Sequence, residues 1–177
     1  MTEKNQTSWK IDAGHSEIQF KVKHLAIANV SGTFKQFKGE ALSEAEDFDG
    51  AKVNCIIDAA SLDTNNAQRD GHLRSDIFFD VAKYPEIVFS GKLKKDKDAY
   101  ELAGELSIHG HTHHVAMNAE HMGIGQGRMG DTRAGFELSG KINRKDYGLS
   151  LDMLTEAGGI VIGEEVKLHF DIELIRQ

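Results

Sequence analysis

The sequence predicts an all-β protein, an eight-stranded antiparallel barrel closed around an apolar interior. Seven stretches place an apolar residue at every second position, beginning with Ile18, Phe20 and Val22 and ending with the stretch 166–174. Because successive side chains of a strand point to opposite faces, each stretch predicts a strand with one buried and one solvated face. No stretch carries a helical stripe of comparable strength. Many such strands in one chain favour a closed barrel, whose interior is either a packed core or a ligand cavity.

The expected strands follow one another with short turns between them. After a short segment at 9–12, they cover 16–24, a strand that begins near Val30, and then 50–59, 86–94, 99–109, 113–122, 132–143 and 164–175. Phe34 and Phe37 lie on opposite parities of the second of these strands. One extra residue near Lys35 and Gln36 would return Phe37 to the interior, so we expect a bulge there.

Residues 65–76 break this alternation and predict a short helix. Either Asp63 or Thr64 is a plausible N-cap, and Asp70 and Arg74 have the spacing of an ion pair on one helix face. Two adjacent aromatic residues follow the helix, as is typical of a lid or plug over one end of a barrel.

Composition restricts the classes of function. The 177 residues suit a disordered tail at 1–8 and a single domain at 9–177. A net charge of -7 argues against a nucleic-acid partner, and the absence of a long apolar run predicts a chain that is not membrane-spanning. No secretion signal is visible, so we expect a cytoplasmic protein if the sequence is complete and a periplasmic one if a leader was removed. Cys55, the only cysteine, lies on an apolar strand face and is expected to be inert.

No motif places a nucleophile next to its base, so we expect neither catalysis nor a cofactor. The glycines Gly125, Gly127 and Gly130 match a dinucleotide-binding fingerprint, but that fingerprint requires a following helix. Here the residues that follow alternate like a strand. The glycines therefore indicate a hairpin loop.

A histidine-rich turn offers an alternative function. His109, His111 and His113 fall within one predicted hairpin turn, and neutral imidazoles are good ligands for zinc, copper or nickel. The turn contains no acidic residue to orient an imidazole ring. The alternative is therefore a histidine-dependent metal-binding protein or enzyme, and the simpler interpretation is a solvated turn.

Three polar residues are candidates for contact with the polar head of a ligand. His24 continues the inward series of its strand, and Arg69 and Asp70 lie in the predicted helix. The guanidinium group of arginine binds carboxylate, phosphate or quinone oxygens without losing its charge. The alternative is that His24 is a core residue and that Arg69 and Asp70 fix the helix to the barrel rim.

Several of these stretches also carry a resemblance to a known family. They are Trp9-Lys-Ile-Asp12 with His15-Ser16, Arg69-Asp70-Gly-His72-Leu73-Arg74-Ser75 with Phe78-Phe79-Asp80 and Tyr84-Pro85, Gly104-Glu-Leu106-Ser-Ile108-His-Gly110, and Arg144-Lys-Asp-Tyr147-Gly148. On these motifs the chain resembles the YceI-like family over essentially residues 9–175. The resemblance implies an extended lipocalin-like barrel that binds a long isoprenoid chain without established catalysis, often in the periplasm. The histidine-rich turn departs from the usual family pattern.

The expected function is therefore non-catalytic binding of a long apolar lipid inside the barrel. The lipid is a polyisoprenoid, a polyprenyl quinone or a fatty-acyl chain, bound for carriage, storage or stress response. A structural partner with a filled barrel is a third possibility, and a homodimer is possible. The residues expected to contact the lipid are Phe20, Val22, Phe34, Phe37, Phe78, Phe79, Phe89, Leu106, Met117, Phe136, Leu138 and Leu149.

Small residues at inward positions are expected to leave room for the lipid, although they also accommodate strand coiling. They are Gly32, Ala51, Gly91, Gly104, Ala119, Ala134 and Gly140.

Overall fold

The structure is a computed structural model that describes residues 5–45, 47–152 and 161–177. These residues are mostly β-strand, with one α-helix and three short 3-10 helices. The strands are β1 (Thr7–Ile11), β2 (Glu17–His24), β3 (Ala28–Phe34), β4 (Phe37–Ser43), β5 (Lys52–Asp58), β6 (Leu62–Asp63), β7 (Glu86–Asp96), β8 (Ala99–Ile108), β9 (His111–Gln126), β10 (Thr132–Asn143) and β11 (Ile162–Arg176). The helix α1 is Ala67–Arg74, and the 3-10 helices are Ala13–His15, Ala59–Ser61 and Arg144–Tyr147.

Eight strands close into an antiparallel ring, which confirms the predicted barrel. Their order around the ring is β1-β4-β5-β7-β8-β9-β10-β11, and β11 returns to pair with β1. Thr7 and Ser8, expected in the disordered tail, instead belong to β1, where they pair with Ser43 and Leu42 of β4. Closure of the ring leaves these eight strands without a free edge.

The strand β11 is long enough to pair with two partners in succession. Its last residues pair with β1, whereas the stretch from Ile162 to Asp171 pairs with β2. The strand β2 in turn pairs with β3, and β3 pairs with the two-residue strand β6. We call the end that carries the β2–β3 hairpin and α1 the upper end, and the end that carries the β9–β10 hairpin the lower end.

The interruption between β3 and β4 falls at Lys35 and Gln36, where the bulge was expected. Both residues leave the strand ladder, and the Lys35 amide donates instead to the Ser61 carbonyl at 3.1 Å. Phe34 is buried before the interruption, and Phe37 packs against the same core after it. The offset thus keeps both rings on the inner face.

The helix α1 is shorter than predicted and is capped differently. Its N-cap is Asn66, whose side chain accepts from the Arg69 amide at 3.0 Å, so the expected caps at Asp63 or Thr64 are wrong. The expected pairing of Asp70 with Arg74 is also wrong. Arg74 donates to the carbonyl of Leu62 at 2.8 Å, and Asp70 accepts from Thr64. Both side chains therefore attach the helix to the segment that precedes it.

The lower end of the barrel is filled by aromatic rings. Phe48 comes from the loop between β4 and β5, and its ring lies 5.1 Å from that of Trp9 and 4.9 Å from that of Phe136. Tyr100 packs against Phe136, and its hydroxyl accepts from the Phe48 amide at 3.4 Å. All four side chains are buried, so this end is a packed core.

The inward glycines do not leave the room that the sequence suggested. A Cβ at Gly32 would collide with the ring of Phe20, and one at Gly140 would lie 2.9 Å from Met117. Gly91 and Gly104 face each other across β7 and β8, where a Cβ on either would meet backbone atoms of the partner strand. These glycines permit close approach of neighbours. The small inward alanines Ala51, Ala119 and Ala134 belong to the filled lower core.

Two turn predictions are confirmed. The chain reverses between β7 and β8 at Lys97, within the charged segment 94–98, and between β9 and β10 within the glycine-rich segment. A strand, β10, follows the glycines, so the geometry of a dinucleotide site is not formed. Among the described residues, no helix is long and apolar enough to cross a membrane.

Candidate ligand-binding site

The upper end of the barrel contains a cavity of about 620 Å³. Its walls come from β2, β3, β8, β11 and α1 with the residues that follow the helix. Seven of the predicted contact residues line it: Phe20, Val22, Phe34, Phe78, Phe79, Leu106 and Leu149. The alternation of the strands thus identified the inner face of this cavity.

A smaller cavity of about 120 Å³ lies toward the lower end. Phe89, Met117, Phe136 and Leu138 line it, and Leu106 lines both cavities. The two cavities also share four other side chains, which form the partition between them: Ile18, Ile57, Leu168 and Phe170. Phe37, also predicted as a contact residue, lines neither cavity and packs as part of the core, so the structure places it away from the expected ligand site.

The large cavity exists because the wall at the upper end is not made of strands alone. The β2–β3 hairpin is continued by only two residues of β6, and α1 covers the gap beside it. The ring of Phe79 lies 6.2 Å from that of Phe34 in β3 and 5.1 Å from that of Phe78. The helix and its two aromatic residues therefore cover this end, and the space beneath them is unfilled.

The candidate head-contact residues separate into two groups. His24 and Arg69 line the cavity, whereas Asp70 does not. Asp70 is only 5% exposed, and its carboxylate accepts from the amide and hydroxyl of Thr64. Its role is to fix α1 to the segment before the helix, and the structure places it outside the cavity lining where a head contact was expected.

Arg69 is partly committed to the same segment. Its Nε donates to the Thr64 hydroxyl and its Nη2 to the Thr64 carbonyl, both at 2.7 Å. Thr64 therefore bridges the guanidinium of Arg69 and the carboxylate of Asp70. The bonds hold the Arg69 side chain at the cavity wall in a fixed orientation.

The ionisable side chains at the cavity wall are basic. Lys23, Arg69, His72 and Arg144 contribute to the lining, and no Asp or Glu is present among the described residues that form it. The chain as a whole carries a net charge of -7. The cavity is therefore a basic and apolar region of an acidic protein.

Arg144 is a structural residue of this site that the sequence analysis did not single out as a contact. It is 2% exposed and begins the 3-10 helix after β10. Its donors reach the carbonyls of Leu149 at 2.6 Å and Gly163 at 2.8 Å and the carboxylate of Asp152 at 2.9 Å. They also reach the carbonyls of Leu151 and Ile162, both at 3.2 Å.

All five N–H groups of Arg144 are thus used within the protein. The bonds draw together the chain after the 3-10 helix Arg144–Tyr147 and the start of β11, where Leu149, Leu151 and Ile162 line the cavity. Only the family resemblance of the turn marked this residue in the sequence, because local patterning does not show which carbonyls an arginine will reach.

The histidine-rich turn does not assemble a metal site. His111 Nδ1 lies 2.8 Å from the carbonyl of His109, and His113 Nε2 lies 2.8 Å from the carbonyl of Asp146. The rings of His109 and His111 stack with their centroids 5.9 Å apart. In the described part of the chain, the three imidazoles do not direct their nitrogens to a common point, so their geometry does not support the alternative metal-dependent function.

Two other groups of side chains have metal-ligand chemistry, but one of them is already occupied. Arg133 donates to Asp12 at 2.7 Å and to Glu173 at 2.5 Å, in the space that a cation would take beside His15. The hydrogen bond from Arg133, then that from His15, lowers the pKa of Asp12. The other group, Glu137, His169 and Asp171, lies on the outer face of β10 and β11.

A closed antiparallel barrel with an apolar cavity at one end defines the lipocalin-like class of folds. The sequence places the chain within this class: it belongs to the YceI-like domain family, whose model matches residues 9–174. The family resemblance stated from the sequence is thereby confirmed.

Similar proteins include members with known structure. A UPF0312 protein of Photorhabdus laumondii is 40% identical over 173 residues, covering 96% of this chain and 87% of its own. The crystal structure of the Campylobacter jejuni YceI protein has a TM-score of 0.72 and 32% identity, covering 89% of this chain and 91% of its own. A polyisoprenoid-binding domain from Saccharophagus degradans has the same fold, with a TM-score of 0.68 at 18% identity, covering 96% and 98%.

Proposed function

We propose that this protein binds a long apolar lipid, without catalysis, in the cavity at the upper end of the barrel. The candidate ligands are a polyisoprenoid, a polyprenyl quinone or a fatty-acyl chain. The observation that carries the proposal is the cavity of about 620 Å³, lined mainly by aliphatic and aromatic side chains. Cavities of this size and apolar character are typical of small-molecule sites.

The volume sets the length of chain that the cavity holds. At about 30 Å³ for each carbon-sized group, close to the volume of a water molecule in the liquid, 620 Å³ holds on the order of twenty groups. A longer chain would have to displace the partition around Leu106 to enter the lower cavity, or extend out of the mouth. We therefore expect the bound part of the ligand to be near twenty carbons.

The chemistry of the walls supports a lipid tail in preference to a polar metabolite. Transfer of apolar surface from water contributes roughly 25 cal/mol per Å² and requires no directional contact, so such a wall selects by length and shape. The polar residues at the cavity, Lys23, His24 and Arg69 among them, suit the head of the ligand. The structural neighbour from Saccharophagus degradans is described as polyisoprenoid-binding, which supports the same ligand class.

Extraction of the purified protein with organic solvent, followed by mass spectrometry, tests the proposal directly. We expect a long apolar lipid in near-stoichiometric amount, since a buried chain dissociates slowly. Extracts free of lipid, together with no uptake of an added fatty acid, would overturn the proposal and favour the role of a structural partner whose barrel is only a scaffold.

A pair of variants on β2 locates the site. Val22→Trp fills the cavity with an indole ring, whereas Lys21→Trp places the same ring on the outer face of the same strand. We expect Val22→Trp to abolish the fluorescence gain of cis-parinaric acid and Lys21→Trp to retain it. Equal binding by the two folded variants would place the ligand elsewhere.

A further inference from the structure

The large apolar side chains that remain exposed lie at the two ends of the barrel. In the described part of the chain, four lie at the upper end, Leu25, Ile27, Ile77 and Leu151, and three lie on the β9–β10 hairpin, Met122, Ile124 and Met129. Ile27 is 86% exposed and Ile77 is 54% exposed. Isolated exposed apolar residues are common, but a group around the mouth of a cavity is not.

The upper group is continuous with the cavity. Ile77 and Leu151 line the cavity while remaining partly in solvent. Leu25 and Ile27 belong to the turn of the β2–β3 hairpin, whose preceding residues Lys23 and His24 also line the cavity. These four residues, which we call the apolar rim, thus extend the apolar wall of the cavity outward into solvent.

The backbone at the hairpin tip is strained by the residues it carries. Leu25 has a φ of 54° and Ala26 a φ of 57°, and the Ile27 amide closes the turn onto the His24 carbonyl at 3.2 Å. Turns with positive φ at both central positions favour Asn and Gly, because a Cβ is crowded in that conformation. Leu25 therefore exposes an apolar side chain from a position that a polar residue would occupy with less strain.

Charge at the mouth indicates the kind of surface that the rim contacts. Lys23, Arg69 and His72 are at the wall of the cavity, and no carboxylate is found among the described lining residues. A protein of net charge -7 is repelled by an anionic surface except where it presents such a region. Apolar side chains beside basic ones are the combination that binds an anionic lipid bilayer.

We propose that the apolar rim docks on an anionic phospholipid bilayer, with the mouth of the cavity facing the membrane. Leu25 and Ile27 insert into the interface between headgroups and acyl chains, and the exposed Lys23 side chain faces the phosphates. Lipid exchange at this contact rests on the proposed function, because it requires a lipid bound in the cavity. Docking on the bilayer does not require a bound lipid. Exchange across the interface would spare the apolar ligand a passage through water.

Vesicle flotation tests the docking. The test variant is Leu25→Asn with Ile27→Ser, which removes two apolar side chains outside the cavity lining and gives the strained turn a residue that tolerates positive φ. The matched control is Ile124→Ser with Met129→Ser, which removes similar apolar surface from the opposite end. Vesicles contain phosphatidylglycerol and phosphatidylcholine in equal parts.

We expect the test variant to bind these vesicles about tenfold or more weakly, since each buried aliphatic side chain contributes over 1 kcal/mol. The control variant should bind like the original protein, and vesicles of phosphatidylcholine alone should bind weakly. Equal loss in both variants, equal binding to both vesicle types, or no binding at all would overturn the proposal. So would a dimer in sedimentation velocity that the test variant alone dissociates, because the rim would then be an interface between copies.

A second readout separates this proposal from lipid binding itself. Uptake of cis-parinaric acid added from ethanol should be the same in the test variant and the original protein, because neither substituted residue lines the cavity. Uptake from anionic vesicles should be about tenfold slower in the test variant. Uptake of the probe from solution by both proteins, together with uptake from vesicles at the same rate, would overturn the docking proposal and leave the proposed lipid binding intact.

Discussion

The upper and lower halves of the barrel are built from the same alternating strands, yet the upper half contains a cavity of about 620 Å³ and the lower half one of only about 120 Å³. In the lower half, Trp9, Tyr100 and Phe136 project inward from strands and close around Phe48, which comes from a loop. In the upper half, the loop residues Phe78 and Phe79 lie across the end of the cavity.

The difference shows that alternation decides which side chains face inward and that the loops decide whether the interior is filled. Phe48 adds a ring to the centre of the lower half, where the rings of three neighbours lie within 5.3 Å of it. The helix α1 is tied to the barrel by bonds from Arg69, Asp70 and Arg74. These bonds hold the helix and the two aromatic residues that follow it over the upper cavity.

The largest expected contrast comes from truncating one phenylalanine in each half. Phe136→Ala removes a ring packed against three others, and such truncations cost about 3–5 kcal/mol of the free energy of unfolding. Phe78→Ala removes a ring that borders the larger cavity and packs against the ring of Phe79, and we expect a loss of about 1–2 kcal/mol because fewer contacts are lost. Urea denaturation measures both. Equal losses would mean that the upper half is as well packed as the lower.

Arg144 tests whether the mouth of the upper half is held by a single residue. Arg144→Lys leaves several buried carbonyls without donors, and we expect a loss of about 2–4 kcal/mol in the free energy of unfolding, with weaker probe binding. Arg128→Lys, at an exposed position near the lower end, is the matched control and should change neither quantity. If Arg144→Lys loses stability but still binds the probe, the hydrogen bonds of Arg144 do not shape the cavity.

Alanine substitution of two glycines compares the space available beside the backbone in the β7–β8 pair with that beside the cavity. Gly104→Ala places a Cβ against the Ser90 carbonyl, which cannot move without breaking the β7–β8 pairing, so a loss of about 2–3 kcal/mol is expected. Gly32→Ala collides only with the ring of Phe20, which can swing toward the empty cavity, so a loss near 1 kcal/mol is expected. Thermal denaturation ranks the two. A larger loss for Gly32→Ala would indicate that Phe20 has no free space.

The smallest expected effect is a pH dependence from Cys55, which lines the lower cavity. Burial raises the pKa of this thiol to about 11, because the thiolate is not solvated there. The unfolded chain releases the proton at lower pH, so the folded state loses stability as pH rises from about 9 toward 11. We expect a decrease of about 1 kcal/mol by pH 10 that Cys55→Ala removes. Retention of the slope in that variant would assign it to another group.

The strand pattern predicted the interior well, and its interruption predicted the position of the helix but not its N-cap or the partners of its side chains. Phe20, Val22 and Phe34 were placed at the cavity because each belongs to a long alternating run. Phe37 was also placed inside, but facing inward did not put it at a cavity, since its space is occupied by neighbours.

The polar residues of the site were harder to predict. Asp70 and Arg144 bond to partners that lie five to nineteen positions away along the chain. Period and spacing report only on neighbours within a strand or a helical turn, so they do not indicate which backbone carbonyl a side chain will reach.

The sequence by itself determined the barrel, the inner face of each strand and the position of the helical cover, because alternation and its interruption are local properties of the chain. The tertiary structure alone decided where the empty volume lies. A void arises when the loops and neighbouring strands fail to supply a side chain to a given space, and that depends on the assembled geometry of distant segments.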